Sequence, residues 1–138
     1  MPAGLKLARK KRKPPQAEIP FIAPMDRAVI ATDLDGIVTF WNSAAERIYG
    51  WKWDEVAGRP VTEFVVPTSE QSNAAEIMQQ LCAGKSWTGK FRLRQKDGTE
   101  FMATITDEPI RDSDGRLIGI IGISDRDDDA GADQAVTA

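Results

Sequence analysis

The chain has 138 residues, 41% hydrophobic and 28% charged with a formal net charge of −3, values that fit one globular core and exclude both a disordered chain and a membrane-embedded one. It contains no histidine and one cysteine, Cys82. Ser-His-Asp hydrolysis, zinc catalysis, histidine-ligated haem, internal disulfides and cysteine metal clusters are thereby removed. In chain order, residues 1–24 form a basic, Pro-rich arm that is expected to be disordered, with Lys10-Lys11-Arg12-Lys13 read as a solvated run rather than a nucleic-acid site. The arm lacks the apolar stretch of a secretory signal, and no apolar run approaches the roughly 18–20 residues that span a bilayer. A cytoplasmic location follows as an expectation. The folded body is placed at residues 25–126, and an acidic tail expected to be disordered at 127–138.

Within the body, Ala28–Asp33 and Ile37–Trp41 are rich in β-branched and aromatic residues and flank Asp35-Gly36, a pair suited to the positive φ of a tight turn. Ser43 and Glu46 have the spacing of a capping box, so a helix is predicted there, closed by Gly50. A short helix at Asp54–Ala57 follows, without a capping side chain at Lys52 or Trp53 and so expected to fray. The longest helix is predicted at Ser69–Ala83, where Ala74, Ile77, Met78 and Leu81 make one apolar stripe before Gly84.

Three strands complete the body. Trp87–Gln95 alternates, with Trp87, Gly89, Phe91 and Leu93 on the core face and Thr88, Lys90, Arg92 and Arg94 on the wet face. Phe101–Ile110 continues the pattern with Phe101, Ala103 and Ile105 inward and Met102, Thr104 and Thr106 outward. Leu117–Ile123 is apolar on both faces, as a central strand would be. Asp97-Gly98 and Asp114-Gly115 mark the turns between them. Strands at both ends and helices between them give an α+β fold, with helices on one face of an antiparallel sheet.

The ordered set Asp33-Leu34-Asp35-Gly36-Ile37, Trp41-Asn42-Ser43-Ala44-Ala45-Glu46, Tyr49-Gly50-Trp51 and Glu55-Val56-Ala57-Gly58-Arg59-Pro60 resembles the first half of a PAS domain. Phe91-Arg92-Leu93-Arg94-Gln95-Lys96-Asp97-Gly98-Thr99 and the stretches Pro109-Ile110 and Gly122-Ile123-Ser124 are similar to its last three strands. The resemblance implies a PAS-like five-stranded antiparallel sheet whose concave face, closed by helices, can hold a small molecule. It further implies a non-enzymatic sensory or pairing role. Flavin-photoadduct members carry an Asn-Cys pair after the Gly-Arg step; here that place holds Pro60-Val61, and Cys82 lies too late, as an ordinary partly buried thiol. A covalent-type flavin and a His-ligated haem are therefore not expected, and no other cofactor is assigned. Trp41, Trp51, Trp53 and Trp87 are read as packing rather than cofactor stacking. No heptads follow Asp125-Arg126-Asp127, so no coiled-coil signalling helix is predicted there.

Two functional readings stand side by side: a small-molecule sensor, and a pure protein-interaction module with a filled core. For the first, the expected pocket residues are Phe64, Ile77, Met78, Leu81, Trp87, Phe91 and Ile105. For pairing with itself or a signalling partner, the expected face is the outer sheet surface with Met102, Thr104, Thr106, Ile118 and Ile120. A remote third reading takes Asp33 and Asp35 as the carboxylates of a haloacid-dehalogenase-like, magnesium-dependent phosphatase, but that chemistry needs a parallel sheet and Ile37 replaces its usual Thr. The Asp125–Asp129 run lacks the Gly and Glu of a calcium loop. No catalytic or metal-binding residue is assigned.

Overall fold

Each Asp-Gly pair lies in a turn between strands, and Gly36, Gly98 and Gly115 take φ of 83°, 91° and 84°. A Cβ is disfavoured in this left-handed region, which is why glycine stands at these points. The preceding acidic side chains complete two of the turns. Asp33 Oδ1 accepts from the Asp35 and Ile37 amides at 2.9 and 3.0 Å, and Asp112 Oδ1 accepts from those of Asp114 and Arg116 at 2.9 Å each. Asp33 and Asp35 are thus turn residues.

The computed structural model describes residues 15–17 and 26–127. Its strands are β1 (Ala28–Thr32), β2 (Val38–Trp41), β3 (Trp87–Arg94), β4 (Glu100–Arg111) and β5 (Leu117–Arg126). They form one antiparallel sheet in the order β2-β1-β5-β4-β3, so the phosphatase reading lacks the parallel sheet it needs. Central β5 pairs with β1 along one edge and β4 along the other; Ile120 of one face turns to the helices and Ile121 of the other packs with Val29, Ala31 and Ile110, so both faces are apolar. Among the described residues no helix is long and apolar enough to cross a membrane.

The helices are α1 (Ser43–Tyr49), α2 (Trp53–Val56), α3 (Thr62–Val65) and α4 (Gln71–Cys82), the last preceded by a 3₁₀ turn at Thr68–Glu70. The α1 cap is Asn42 rather than Ser43: its Oδ1 accepts from Ala45 N at 2.9 Å and from Val29 N at 3.0 Å, and its Nδ2 donates to Arg27 O. A hydroxyl at 43 has no such reach to β1. Glu46 is consequently released from capping its own helix and accepts the Trp53 amide at 2.9 Å. Glu55 takes the Lys52 amide at 2.9 Å. Two carboxylates thus satisfy the start of α2, which needs no hydroxyl cap. Helix α3 was not foreseen, because its single turn carries too few apolar positions to set a period.

Strand pairing decides which side chains share a face. Thr32 and Pro109 oppose Ile120, Asp107 opposes Gly122, and Ile105 opposes Ser124. These residues face the helices, together with Trp87, Phe91 and Leu93 of β3. Val29, Ala31, Ile110 and Ile121 cluster on the other face, with Phe40 and Ile123 against them. Ile120 is therefore placed differently from expectation: it lies on the helix-covered side, 5% exposed, and its neighbour Ile121 shares the face of Thr106 and Thr104. Ile118 is the unpaired residue where the register shifts between Ile110↔Gly119 and Arg111↔Leu117, and it is 51% exposed. The bulge accounts for Ile118 alone, whereas Ile120 follows from the regular pairing of residues 119–126 with 103–110.

Three residues of the amino-terminal arm are described, and they are not free of the body. Ala17 N donates to Thr39 O at 2.9 Å, and Trp41 N donates to Gln16 Oε1 at 2.8 Å. An edge strand offers unpaired backbone groups, and Pro15–Ala17 use those of β2. At the other end Asp127 N donates to Met102 O at 2.9 Å, and Asp127 pairs with Lys90 at 3.2 Å. The remainder of both expected terminal segments lies outside the described residues.

Candidate functional site

Between the sheet and the helices lies a cavity of about 350 Å³, at the lower end of the range of small-molecule sites. Its roof is the α4 stripe, Ala74, Ile77, Met78 and Leu81; its side wall is Trp87, Phe91 and Ile105. Val61, Val65 and Val66 close a further side, around α3. Trp87 and Phe91 meet edge to face, with ring centroids 6.4 Å apart. A Cβ at Gly89 would approach the Trp87 indole to 2.9 Å, so glycine there lets the ring lie flat on the strand.

Six of the seven expected pocket residues, Ile77, Met78, Leu81, Trp87, Phe91 and Ile105, line this cavity. Phe64 does not: its ring packs against Trp51 at 4.9 Å and beneath the Arg59 guanidinium at 4.8 Å. Of the four tryptophans only Trp87 lines the cavity. Trp41 is fully buried, donating Nε1–H to Trp51 O at 2.9 Å, and Trp53 belongs to the same core. On the opposite face Met102 is 36% exposed, Thr104 donates to Asp127 Oδ1 at 3.0 Å, and Thr106 is half-buried.

The sequence reading missed the polar side chains of the cavity. Tyr49, at the end of α1, and Ser124, on β5, share a buried hydroxyl–hydroxyl bond of 2.8 Å. Burial pushes the Tyr49 phenol above its ordinary value, opposed by the Ser124 bond, with the Asp107 charge adding to the rise. Asp107, on β4, also lines the cavity, and among the described residues no hydrogen bond or ion pair reaches its carboxylate. Burial pushes its carboxyl up to about 7. Opposite it, a Cβ at Gly122 would come within 2.5 Å of Asp107 Oδ1, so the carboxylate lies over a glycine floor. The signal for Asp107 was present: alternation from Phe101, Ala103 and Ile105 carries on to residue 107.

The PAS fold family model matches residues 21–125. The chain belongs to the PAS family. Among curated relatives of this PAS domain, phototropin-1A of Oryza sativa subsp. japonica is 34% identical over 74 residues, covering 54% of this chain and 8% of that protein. The biofilm dispersion protein BdlA of Pseudomonas aeruginosa is 25% identical over 103 residues, 72% of this chain and 25% of that protein. Among solved structures, the PAS domain of a Colwellia psychrerythraea protein superposes with a TM-score of 0.66 at 26% identity, covering 88% of this chain and 95% of that one. The domain therefore spans a small part of the curated relatives it matches.

A flavin held by a thiol adduct does not fit this PAS domain. Pro60 and Val61 wall the cavity where the photoadduct members carry Asn-Cys, and Val61 has no nucleophile. The Cys82 thiol instead approaches Leu34 O at 3.6 Å and is absent from the cavity wall. Adduct chemistry needs a thiolate facing the ring.

Proposed function

We propose that this PAS domain is a sensory module without catalytic groups of its own, which takes a small molecule into the cavity under α4 and signals by contact with another protein surface. The observation that carries this reading is the cavity itself: apolar walls with a few convergent polar groups, the arrangement common to small-molecule sites. A filled-core interaction module would leave no such cavity between α4 and the sheet. Membership of a family that includes sensory relatives supports the same reading.

The test is a fragment screen followed by amide NMR on the whole chain. Ligands are expected to shift the amides of Ile105, Gly122 and Ser124, and Met78→Trp, which fills the cavity from α4, is expected to abolish those shifts. A screen in which no compound moves the cavity amides would overturn the reading in favour of the interaction module.

Output is assigned to the outer sheet face, where Met102 is the exposed apolar side chain on β4. We expect a symmetric dimer through this face at micromolar concentration, weakened in Met102→Glu and read by sedimentation. A wild-type chain that remains monomeric throughout would exclude the dimer.

A further inference from the structure

Two of the side chains that line the cavity carry formal charge, Asp35 and Asp107, and both are acidic; among the described residues no lysine or arginine lines it. Asp35 stands in the β1–β2 turn, exposed, at the rim. Asp107 stands inside on β4. A buried carboxylate is normally matched by a cation or by several hydrogen-bond donors, because removal from water is otherwise costly. Here neither is supplied by the protein: the nearby hydroxyls of Tyr49 and Ser124 bond to each other at 2.8 Å, and among the described residues no donor or cation reaches the Asp107 carboxylate. The surface that Asp107 retains is cavity surface, and Gly122 gives its carboxylate the room to face into that space.

We infer that the cavity selects a small organic cation, an apolar body bearing a protonated amine, which Asp107 holds by a charge-assisted hydrogen bond. The inference rests on the reading of the cavity as a ligand site and names the class of ligand. The walls of Ile77, Met78, Trp87 and Phe91 receive the apolar body, while the amine meets the Asp107 carboxylate inside the cavity. An anionic ligand would face two carboxylates with no basic group to offset them. A neutral ligand with acceptors only would leave ionised Asp107 unpaired. The acidic rim at Asp35 attracts cations towards the opening.

Selectivity for a cation makes binding depend on pH. With its carboxyl near 7, Asp107 is part protonated at neutrality, and a bound ammonium converts that protonated fraction to carboxylate, releasing its proton to solvent. The titratable groups facing it are Tyr49 from α1 and Asp35 from the β1–β2 turn; α4 presents Ile77, Met78 and Leu81, β3 presents Trp87 and Phe91, and β5 presents Ile120 and Ser124. A primary amine stays protonated to about pH 10. Affinity should thus rise with pH up to about 7 and level off above it.

The experiment is calorimetric titration of the whole chain with 2-phenylethylamine, tryptamine and cyclohexylethylamine, each beside the alcohol and the carboxylate of matching shape. At least one amine should bind roughly tenfold or more tighter than its alcohol, with the carboxylate weakest. Asp107→Asn should remove that advantage and flatten the pH profile, while leaving alcohol binding within about twofold. Met78→Trp should abolish binding of amine and alcohol alike. Alcohols that bind as well as amines, with no response to Asp107→Asn, would overturn the cation assignment and leave the cavity reading standing. Failure of every amine, alcohol and carboxylate to bind, together with cavity amides unmoved by the fragment screen, would overturn both.

Discussion

Asp107 links the chemistry of the cavity to the stability of the fold. Its folded carboxyl, near 7, stands above the ordinary value of about 3.9 for an unfolded Asp. Between those values the folded chain binds more protons than the unfolded one, so stability is greatest below the lower value and declines as pH rises through the higher one. The loss is on the order of 2–4 kcal/mol once both states are ionised. Asp107→Asn removes it. The variant should equal the wild type near pH 4 in urea unfolding and exceed it at pH 8, the gap opening between the two values. Parallel profiles across that range would mean that the carboxyl titrates normally. A bound cation should close the gap from the other side, by stabilising the ionised wild type.

At the scale of elements, Asn42 joins α1 to β1, since one oxygen accepts from both Val29 and Ala45. Asn42→Ala should cost about 2 kcal/mol, a lost cap together with an unsatisfied amide on a buried strand, whereas Ser43→Ala should cost under about 0.5 kcal/mol. Equal losses would return the cap to Ser43. Strand β3 is tested by neighbours of opposite face. Phe91, 8% exposed, should cost about 3 kcal/mol as Phe91→Ala, the low end for a core aromatic because it borders a cavity already present. Exposed Arg92 should cost under about 0.5 kcal/mol as Arg92→Ala. Similar losses would show the strand turned over. Alternation made β3 and most of β4 legible in advance, because one side of each is covered and the other wet. It misplaced Ile120 on β5, where both faces are apolar and parity has no polar residue to anchor it.

For the molecule as a whole, the ends of the chain are a test of where the domain stops. Pro15–Ala17 lie against β2 through Ala17 and Gln16, so deletion of residues 1–14 should leave the melting temperature within about 2 °C. Deletion of residues 1–24 should lower it by roughly 4–8 °C, the shift of about 1 kcal/mol in a domain of this size. Equal melting temperatures for the two deletions would make the contact at β2 energetically idle. Sequence alone determined the α+β class, the three Asp-Gly turns, the five strands and the α4 stripe, because each rests on local periodicity or on φ at single residues. It also carried the PAS resemblance, through motifs in a set order. Only the tertiary structure decided that a cavity remains between α4 and the sheet, that Phe64 packs on Trp51 instead of the cavity, and that Asp107 meets Gly122 across two strands. Cavity volume and the partnering of a buried charge depend on pairings between residues distant in the chain, and no local period encodes those.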